Sequence, residues 1–184
     1  MTFFSRSLPL FLALSASLAA CSTPEPPRQK PSIYESMARP GAKVDQAKAV
    51  EMISQYRIAN GAGPLKTDPK LVKIAQDYAE AMAKSGDMTH VLQPYGSLLK
   101  RLRDAGYAYK IAGENIAAGQ YTLADVFSEW RQSPRHDAGM KSADKTVMGI
   151  GVAYNPNSKY KVYWCLILAW PKTPEEVAAA AATQ

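Results

Sequence analysis

The side chains best suited to acid–base or metal chemistry are few in this chain and lie far apart. Histidine occurs twice, at His90 and His136. The carboxylate that stands out is Glu114, which precedes Asn115 in the stretch AGENIAAG, where all other residues are small or apolar. Imidazole and carboxylate groups transfer protons and bind divalent metal ions. These residues are therefore the candidates for chemistry.

Their spacing alone does not identify a catalytic centre. The sequence contains no HExxH, CxxC, G-x-S-x-G or phosphate-binding glycine loop. The G-x-G at 149–151 lies within a predicted strand and lacks a third glycine and a following helix, so we interpret it as a packing feature. Both histidines lie just beyond predicted helices, in segments typical of loops. A lone loop histidine or glutamate is usually solvated, and that interpretation stays open here.

The first twenty residues have the composition of an export signal. Arg6 is their one charged residue, and residues 8–20 are apolar apart from two serines. This segment is too short for a membrane-spanning helix. It ends in LAAC, which resembles the bacterial lipobox and would make Cys21 the lipidated first residue of the mature protein, held by several acyl chains. The alternative is a soluble secreted protein in which Cys21 is incidental. Ser22 resembles an outer-membrane sorting signal.

The overall charge limits the classes of binding partner, and the cysteine content limits how the domain can be stabilised. The 184 residues carry a formal net charge of +6, which becomes about +5 when Arg6 is removed with the signal. For an exported domain with so mild an excess we expect no nucleic acid partner, whereas anionic envelope polymers or lipid headgroups fit. With Cys21 lipidated, Cys165 has no partner within the chain, so the core rather than a disulfide must stabilise the domain.

Local patterns divide the chain into four parts. Residues 1–20 form the signal, 21–43 a proline-rich tether, 44–172 a folded domain and 173–184 an alanine-rich flexible tail. The predicted helices, bounded by capping residues, glycine or proline, cover 45–60, 69–85, 96–104 and 122–133. The predicted strands cover 147–154, which alternates large and small residues, and 160–170, which is apolar throughout. Helices before buried strands predict a sheet sandwiched by helices.

Four segments occur in an order that resembles the CAP superfamily of cysteine-rich secretory, antigen 5 and pathogenesis-related proteins. They are GDMTH (86–90), AGENIAAG (112–119), VFSEWRQSPRH (126–136) and VMGIGVAY (147–154). The resemblance covers about residues 45–170 and is nearest to the bacterial SCP-like extracellular branch. It implies an α+β fold, a three-layer α/β/α sandwich with a central antiparallel sheet.

The resemblance also implies a cleft in which His90, Glu114 and His136 converge, with Asn115 beside them. Glu114 would lie on a glycine-flanked turn and contact a neighbouring histidine. Two imidazoles and a carboxylate could hold zinc or another divalent cation, with His90 and His136 as the metal ligands. Without metal, Glu114 could instead orient one imidazole by hydrogen bonding.

The sequence departs from the family pattern at three positions. Ser133 stands where many eukaryotic members have a second glutamate. Asp137 follows His136 and alters the charge near the implied cleft. Leu166 replaces a common glutamine, which indicates core packing. Cys165, on a buried strand, is interpreted as an inert apolar residue.

The segment KRLRDAGYAYK (100–110) alternates basic and aromatic residues. Such a segment could grip sugars, phosphates or lipid headgroups. A solvated helix face is the other interpretation, and the pattern alone does not separate the two.

Three functions follow from these observations. The favoured one is a binding module for a lipid, glycan or protein, anchored through Cys21 to a bacterial membrane, facing the periplasm or the surface of the outer membrane. The alternative is a metal-dependent hydrolase of peptide or ester bonds, with Glu114 and His136 as catalytic residues. The third is a structural envelope protein. The binding module is favoured because no activated nucleophile is evident and Glu114 cannot be both metal ligand and general base.

Overall fold

The computed structural model describes residues 30–182, so the predicted signal, the predicted lipobox and Cys21 lie outside it. In chain order the elements are a 3-10 helix at Ser32–Tyr34, α1 at Gln46–Ala59, β1 at Lys66–Thr67, α2 at Pro69–Ser85, α3 at Leu98–Asp104, β2 at Tyr109–Ala118, α4 at Leu123–Gln132, α5 at Pro134–Lys141, β3 at Val147–Tyr154, β4 at Val162–Pro171 and α6 at Pro174–Ala182. Within this range no helix combines the length and apolarity needed to cross a membrane.

The first four helices begin where the sequence predicts, because a side chain accepts a hydrogen bond from a free N–H of the first turn. The capping residues are Asp45 for α1, Asp68 for α2, Ser97 for α3 and Thr122 for α4. Gly86 ends α2 with φ at +81°, a left-handed conformation that glycine adopts without strain.

The strands form one four-stranded sheet in the order β1-β3-β4-β2. The long strand β4 pairs antiparallel with β3 on one side and with β2 on the other. The short strand β1 pairs parallel with the start of β3 over two residues. The antiparallel sheet and the sandwich are therefore confirmed, with one short parallel pair added.

Alternate residues of β4 enter two cores on opposite faces of the sheet. On one face, Trp164 and Leu166 pack in a cluster with Trp130 of α4 and with residues of α1 and α5. On the other face, Tyr163 and Cys165 pack in a cluster with residues of α2 and α3. Leu166 is fully buried, so its interpretation as a core residue is confirmed.

The G-x-G of β3 lets α2 lie directly on the strand. A Cβ atom at Gly149 would lie 2.2 Å from the backbone nitrogen of Val72, and one at Gly151 would lie 2.4 Å from the Cα of Gln76. A side chain at either glycine would therefore push the helix away from the sheet. The packing interpretation of the motif is confirmed.

Two glutamines complete the hydrogen bonding of β3 along the edge that β1 leaves open. Gln46 donates to the carbonyl of Ile150 at 2.8 Å and accepts from its N–H at 3.4 Å. Gln76 makes the same pair with Val152, at 2.8 and 3.1 Å. The two amides thus occupy the place of a neighbouring strand and leave these backbone groups satisfied.

Two local predictions were wrong. The segment around Glu114 is part of strand β2, not a turn, because it pairs with β4 over its whole length. Tertiary pairing outweighs the weak strand preference of its glycines and alanines. His136 lies in helix α5, not in a loop: Pro134 occupies the first turn of that helix, where its missing N–H costs nothing, so it begins α5 as well as following α4.

The described parts of the predicted tether and tail both contact the domain. Met37 is 3% exposed in the core, and its N–H donates to the carbonyl of Tyr121 at 2.7 Å. At the other end, Glu176 of α6 pairs with Lys110 of β2 at 2.7 Å. Residues from Ser32 onward therefore belong to the folded unit.

Candidate functional site

The candidate site is built around the carboxylate of Glu114 on the edge strand β2. Its side chain is 3% exposed and both oxygens have partners. Oε1 lies 2.9 Å from Nδ1 of His90, and Oε2 accepts from Nη2 of Arg101 at 2.5 Å. The thiol of Cys165, on the neighbouring strand β4, donates to Oε2 at 3.3 Å. A buried carboxylate with these contacts is held in one orientation.

Arg101 provides the opposite charge from helix α3. Its side chain is 6% exposed, and its guanidinium lies 3.2 Å from the ring centroid of Tyr78. Tyr78 in turn donates to the carbonyl of Thr89 at 2.6 Å, next to His90. The stacked tyrosine therefore connects the ion pair to the loop that carries the histidine. An ion pair this well shielded from water keeps more of its electrostatic strength than an exposed one.

His90 is the exposed member of the site, with 55% of its side chain accessible. Its Nδ1 faces Glu114, so the tautomer that donates from Nδ1 leaves Nε2 as an acceptor, and the protonated ring donates from both nitrogens. Because the carboxylate fixes the ring, His90 presents an oriented polar group to the surroundings.

Asn115 and His136 belong to the opposite side of the same strand. The side chain of Asn115 is buried and donates to the backbone carbonyl of His136 at 3.0 Å. A Cβ at Gly139 would lie 3.2 Å from Oδ1 of Asn115, so α5 packs closely on this residue. Asn115 therefore holds α5 on the sheet, on the face opposite Glu114, and its place in a shared ligand-binding cleft stays a prediction.

His136 lies near His90 but outside the hydrogen-bonded set. Its Nδ1 is buried, with no hydrogen-bond partner among residues 30–182. Burial lowers the pKa of His136, the charge of His90 lowers it further, and Glu129 acts in the opposite direction. The two imidazoles are thus close enough to interact electrostatically, while the hydrogen bonds of Glu114 go to His90, Arg101 and Cys165.

Helix α5, which carries His136, is fixed to α1 by two side chains. Asp137 accepts a hydrogen bond from the hydroxyl of Tyr56 and pairs with Lys141 at 2.5 Å. The fully buried Arg57 donates to carbonyls near the end of α5, those of Met140, Ser142 and Lys145. The charge of Asp137, which the sequence placed near the cleft, is therefore used in the contact between α1 and α5.

The family profile of the cysteine-rich secretory proteins (CAP) matches residues 50–168, which include every residue of the site. This chain belongs to the CAP family. The confirmed sandwich and the order of its elements agree with that assignment.

Relatives and solved structures support the assignment at the level of the fold. The chain is 33% identical to Bacillus subtilis YkwD over 106 residues, which are 58% of this chain and 41% of YkwD. An extracellular SCP-domain protein of Bacillus anthracis superposes with a TM-score of 0.60 at 19% identity, over 67% of this chain and 39% of that one. An outer surface protein of Borrelia burgdorferi gives 0.62 at 20% identity, over 72% of this chain and 99% of its own. The chain thus spans less than half of YkwD and of the B. anthracis protein.

The donor set of this CAP domain fits a metal poorly. In the described part of the chain, no three side chains of the His, Cys, Asp and Glu types lie together as a metal-binding group. Glu114 is already paired with the guanidinium of Arg101, and a metal ion at this carboxylate would have to be placed beside that positive charge. Zinc binding through His90 and His136 therefore stays a prediction from the family resemblance, and we assign no chemical step to a metal.

Sequence reasoning missed two residues of the site. Arg101 was grouped with a basic surface segment. However, Leu98 lies three residues before it, Leu102 directly after it and Ala105 four residues after it. These apolar neighbours place Arg101 on the inward face of α3. That spacing could have predicted its burial. Cys165 was interpreted as an inert residue. Burial, with the nearby Glu114, raises the pKa of its thiol well above the usual value, which agrees with that interpretation. The thiol nevertheless contacts Glu114 and so belongs to the site.

Proposed function

We propose that this protein is an exported, lipid-anchored protein of the bacterial cell envelope whose CAP domain binds a lipid, glycan or protein. Binding, and not hydrolysis, is the primary activity of the site around Glu114. Ser133, which stands where many eukaryotic family members have a second glutamate, lies just before helix α5 and adds no carboxylate to this site.

The occupied carboxylate of Glu114 supports this proposal. A general base must have a lone pair free to take a proton from water, and a metal ligand must have one free for the ion. Here His90, Arg101 and the thiol of Cys165 use three of the roughly four lone pairs of the carboxylate, and water hardly reaches the remaining one. Such an arrangement costs no reorganisation when a ligand arrives, which favours recognition by a rigid surface.

A hydrolase remains the second candidate because Glu114 orients the ring of His90, as carboxylates orient the general base of many hydrolases. An exposed, oriented imidazole could take a proton from a water molecule. The buried thiol of Cys165 does not serve as the nucleophile, because its raised pKa keeps it protonated. The hydrolase would therefore depend on His90 alone for activation of water.

The envelope location is supported by the signal and lipobox that the sequence predicts at residues 1–21 and by the extracellular and outer-surface descriptions of the two structural relatives. The test is Cys21→Ala in cells fed a palmitate analogue that can be tagged. We expect the label and the membrane fraction to be lost together in this variant. Equal labelling of both proteins would contradict the anchor without affecting the binding proposal.

Native mass spectrometry of the full chain, extracted from its own membrane in detergent, tests the binding function. We expect a bound molecule on the wild-type protein and its loss in His90→Ala and Glu114→Gln. Asp87→Ala, a change at an exposed residue just before the same loop, is the matched control and should keep the molecule.

The same proteins should be offered panels of peptide and ester substrates. Turnover that disappears in both His90→Ala and Glu114→Gln would replace the binding function by the hydrolase. A wild-type protein that carries no bound molecule and shows no turnover would contradict both the binding function and the hydrolase. The structural envelope protein would then be the remaining function.

A further inference from the structure

A groove of about 300 Å³ lies beside the ion pair, between helices α2 and α3 and the loop that joins them. Its volume is at the lower end of the range for small-molecule sites, roughly 300–1,000 Å³, which suits one or two sugar-sized rings. Arg101 and Tyr78 line it, so the groove shares two residues with the site around Glu114. A ligand there would touch the same guanidinium that holds the carboxylate.

Arg101 has hydrogen-bonding capacity that the described residues leave unused. Its Nη2 donates to Glu114, while Nε and Nη1 are buried and have no partner among residues 30–182. Unpaired donors on a buried charged group are costly and call for an acceptor. Because Arg101 lines the groove, an oxygen of a ligand bound there would supply it.

The charges around the groove are balanced in pairs. Asp77 pairs with Lys73 at 2.7 Å, and Asp104 pairs with Lys100 at 2.5 Å. The charge of Arg101 is neutralised by Glu114. The groove therefore offers both hydrogen-bond donors and acceptors without a net charge, which favours a neutral polar ligand over a phosphate or an anionic headgroup.

The outer wall of the groove is apolar and partly aromatic. Pro94 and Tyr95 line it, and Tyr95 is 41% exposed. An exposed tyrosine ring next to carboxylates and cations gives a flat apolar surface with polar groups at its rim. Sugar rings have the matching shape: an apolar face of C–H groups and hydroxyls around the edge.

We propose that this groove binds a neutral sugar that carries an acetamido group. The carbonyl oxygen of the acetamido group accepts from Arg101, the sugar ring lies on Tyr95, and the hydroxyls reach the carboxylates of Asp77 and Asp104. This inference rests on the proposed binding function and names the ligand class for it. It also gives the two unpaired nitrogens of Arg101 a partner.

The test is titration calorimetry of the full chain in detergent with triacetylchitotriose, a neutral trisaccharide with acetamido groups. Cellotriose, which lacks them, and glycerol 3-phosphate, an anion, are the comparison probes. We expect saturable binding of triacetylchitotriose, and binding of cellotriose that is weaker by about 10-fold or more, the effect of one lost hydrogen bond to a charged donor. Equal binding of cellotriose, tighter binding of glycerol 3-phosphate or no saturable binding would overturn the proposal.

Variants locate the site. Tyr95→Ala should weaken triacetylchitotriose binding by about 10-fold through loss of the aromatic surface. Tyr34→Ala, a change of a similarly exposed tyrosine in the 3-10 helix, should leave it unchanged. Arg101→Lys should weaken binding even where its fold is retained, because lysine keeps the charge opposite Glu114 but loses the additional donors. Unchanged binding by Tyr95→Ala would overturn the proposal.

The groove and the binding function can fail separately. If the molecule found by native mass spectrometry leaves His90→Ala but stays on Tyr95→Ala, the groove is not the site, while the binding function holds. If the wild-type protein retains no molecule and binds no sugar, both fail.

Discussion

The two strands that flank β4 in the sheet carry different chemistry. At the β3 edge, the neutral amides of Gln46 and Gln76 pair with the backbone of the strand. At the β2 edge, the side chain of Glu114 pairs with the charged Arg101 and with His90, whose ring is exposed. At the β3 edge, neutral amide groups pair one for one with the backbone groups of the strand. The β2 strand instead carries a buried ion pair next to an accessible imidazole.

This difference separates stability from function along one sheet. In the described range, the buried polar side-chain atoms without a partner are Nε and Nη1 of Arg101, Nδ1 of His136 and Oε1 of Gln120. None of them belongs to the β3 edge. Arg101 and His136 lie on the two sides of β2, where unused hydrogen-bonding capacity can serve a ligand. Substitutions at the β3 edge should therefore change folding, and those at the β2 edge should also change binding.

The largest effect is expected at the β3 edge from Gly151→Val. The new side chain would meet the backbone of α2, since even a Cβ would lie 2.4 Å from Gln76. We expect a loss of at least about 3 kcal/mol in the free energy of unfolding, the upper range for overpacked cores. Urea unfolding followed by circular dichroism measures it.

Gly63→Ala is the matched control for this change, because among residues 30–182 no atom beyond the glycine and its chain neighbours lies within 4 Å of the position of its Cβ. It should shift the free energy of unfolding by less than about 0.5 kcal/mol. A Gly151→Val protein as stable as the wild type would show that the packing of α2 on β3 does not require a residue without a side chain at this position.

The next effect is expected from Gln76→Met, which keeps the size of the side chain but removes the amide. The N–H and carbonyl of Val152 would lose their partner, at a cost of about 1–3 kcal/mol in the free energy of unfolding. Gln55→Met, at an exposed position of α1, should be nearly neutral. Ligand retention, read by native mass spectrometry, should be unchanged in both; a loss confined to Gln76→Met would weaken the separation of the two edges.

A smaller effect is expected at the β2 edge from Asn115→Ala, on the face opposite Glu114. Loss of the hydrogen bond to the carbonyl of His136 should cost about 1–2 kcal/mol in the free energy of unfolding. Asn157→Ala, at an exposed turn position, is the control. Because the side chain of Asn115 bonds to α5 on the face opposite Glu114, the bound molecule should remain, whereas Glu114→Gln should lose it. Loss of the bound molecule in both variants would show that Asn115 belongs to the binding site.

The contrast between these neighbours shows how far the sequence could predict the site. The family resemblance placed both beside the histidines, but residues one apart on a strand point to opposite faces. Once β2 is taken for a turn, that alternation is hidden. The strand itself is hard to predict because its glycines and alanines favour no strand, and only pairing with β4 defines it.

Elements with strong local signals were predicted well. The caps of α1, α2 and α4 and the alternation of β3 are encoded by neighbouring residues, so no distant contact is needed to find them. The pairing of Glu114 with Arg101, in contrast, depends on a contact between different elements of the fold. Arg101 comes from a seven-residue helix in a basic segment, and its charge indicated solvent until the fold brought it against Glu114 and Tyr78.

The smallest effect is a pH dependence that should belong to the β2 edge alone. Burial, aided by the charge of His90, holds the pKa of His136 below its usual value of 6.5, against the opposing effect of Glu129. Below pH 6.5 the unfolded chain therefore binds a proton more readily than the folded one, so acidification through this range destabilises the fold until the pKa of the folded state is reached. In His136→Gln this part of the loss should disappear when urea unfolding is compared between pH 7.5 and pH 5.5. Gln46→Met should retain it, because the amides of the β3 edge do not titrate. If His136→Gln loses as much stability on acidification as the wild type, the pH response comes from elsewhere and the two edges do not differ in this respect.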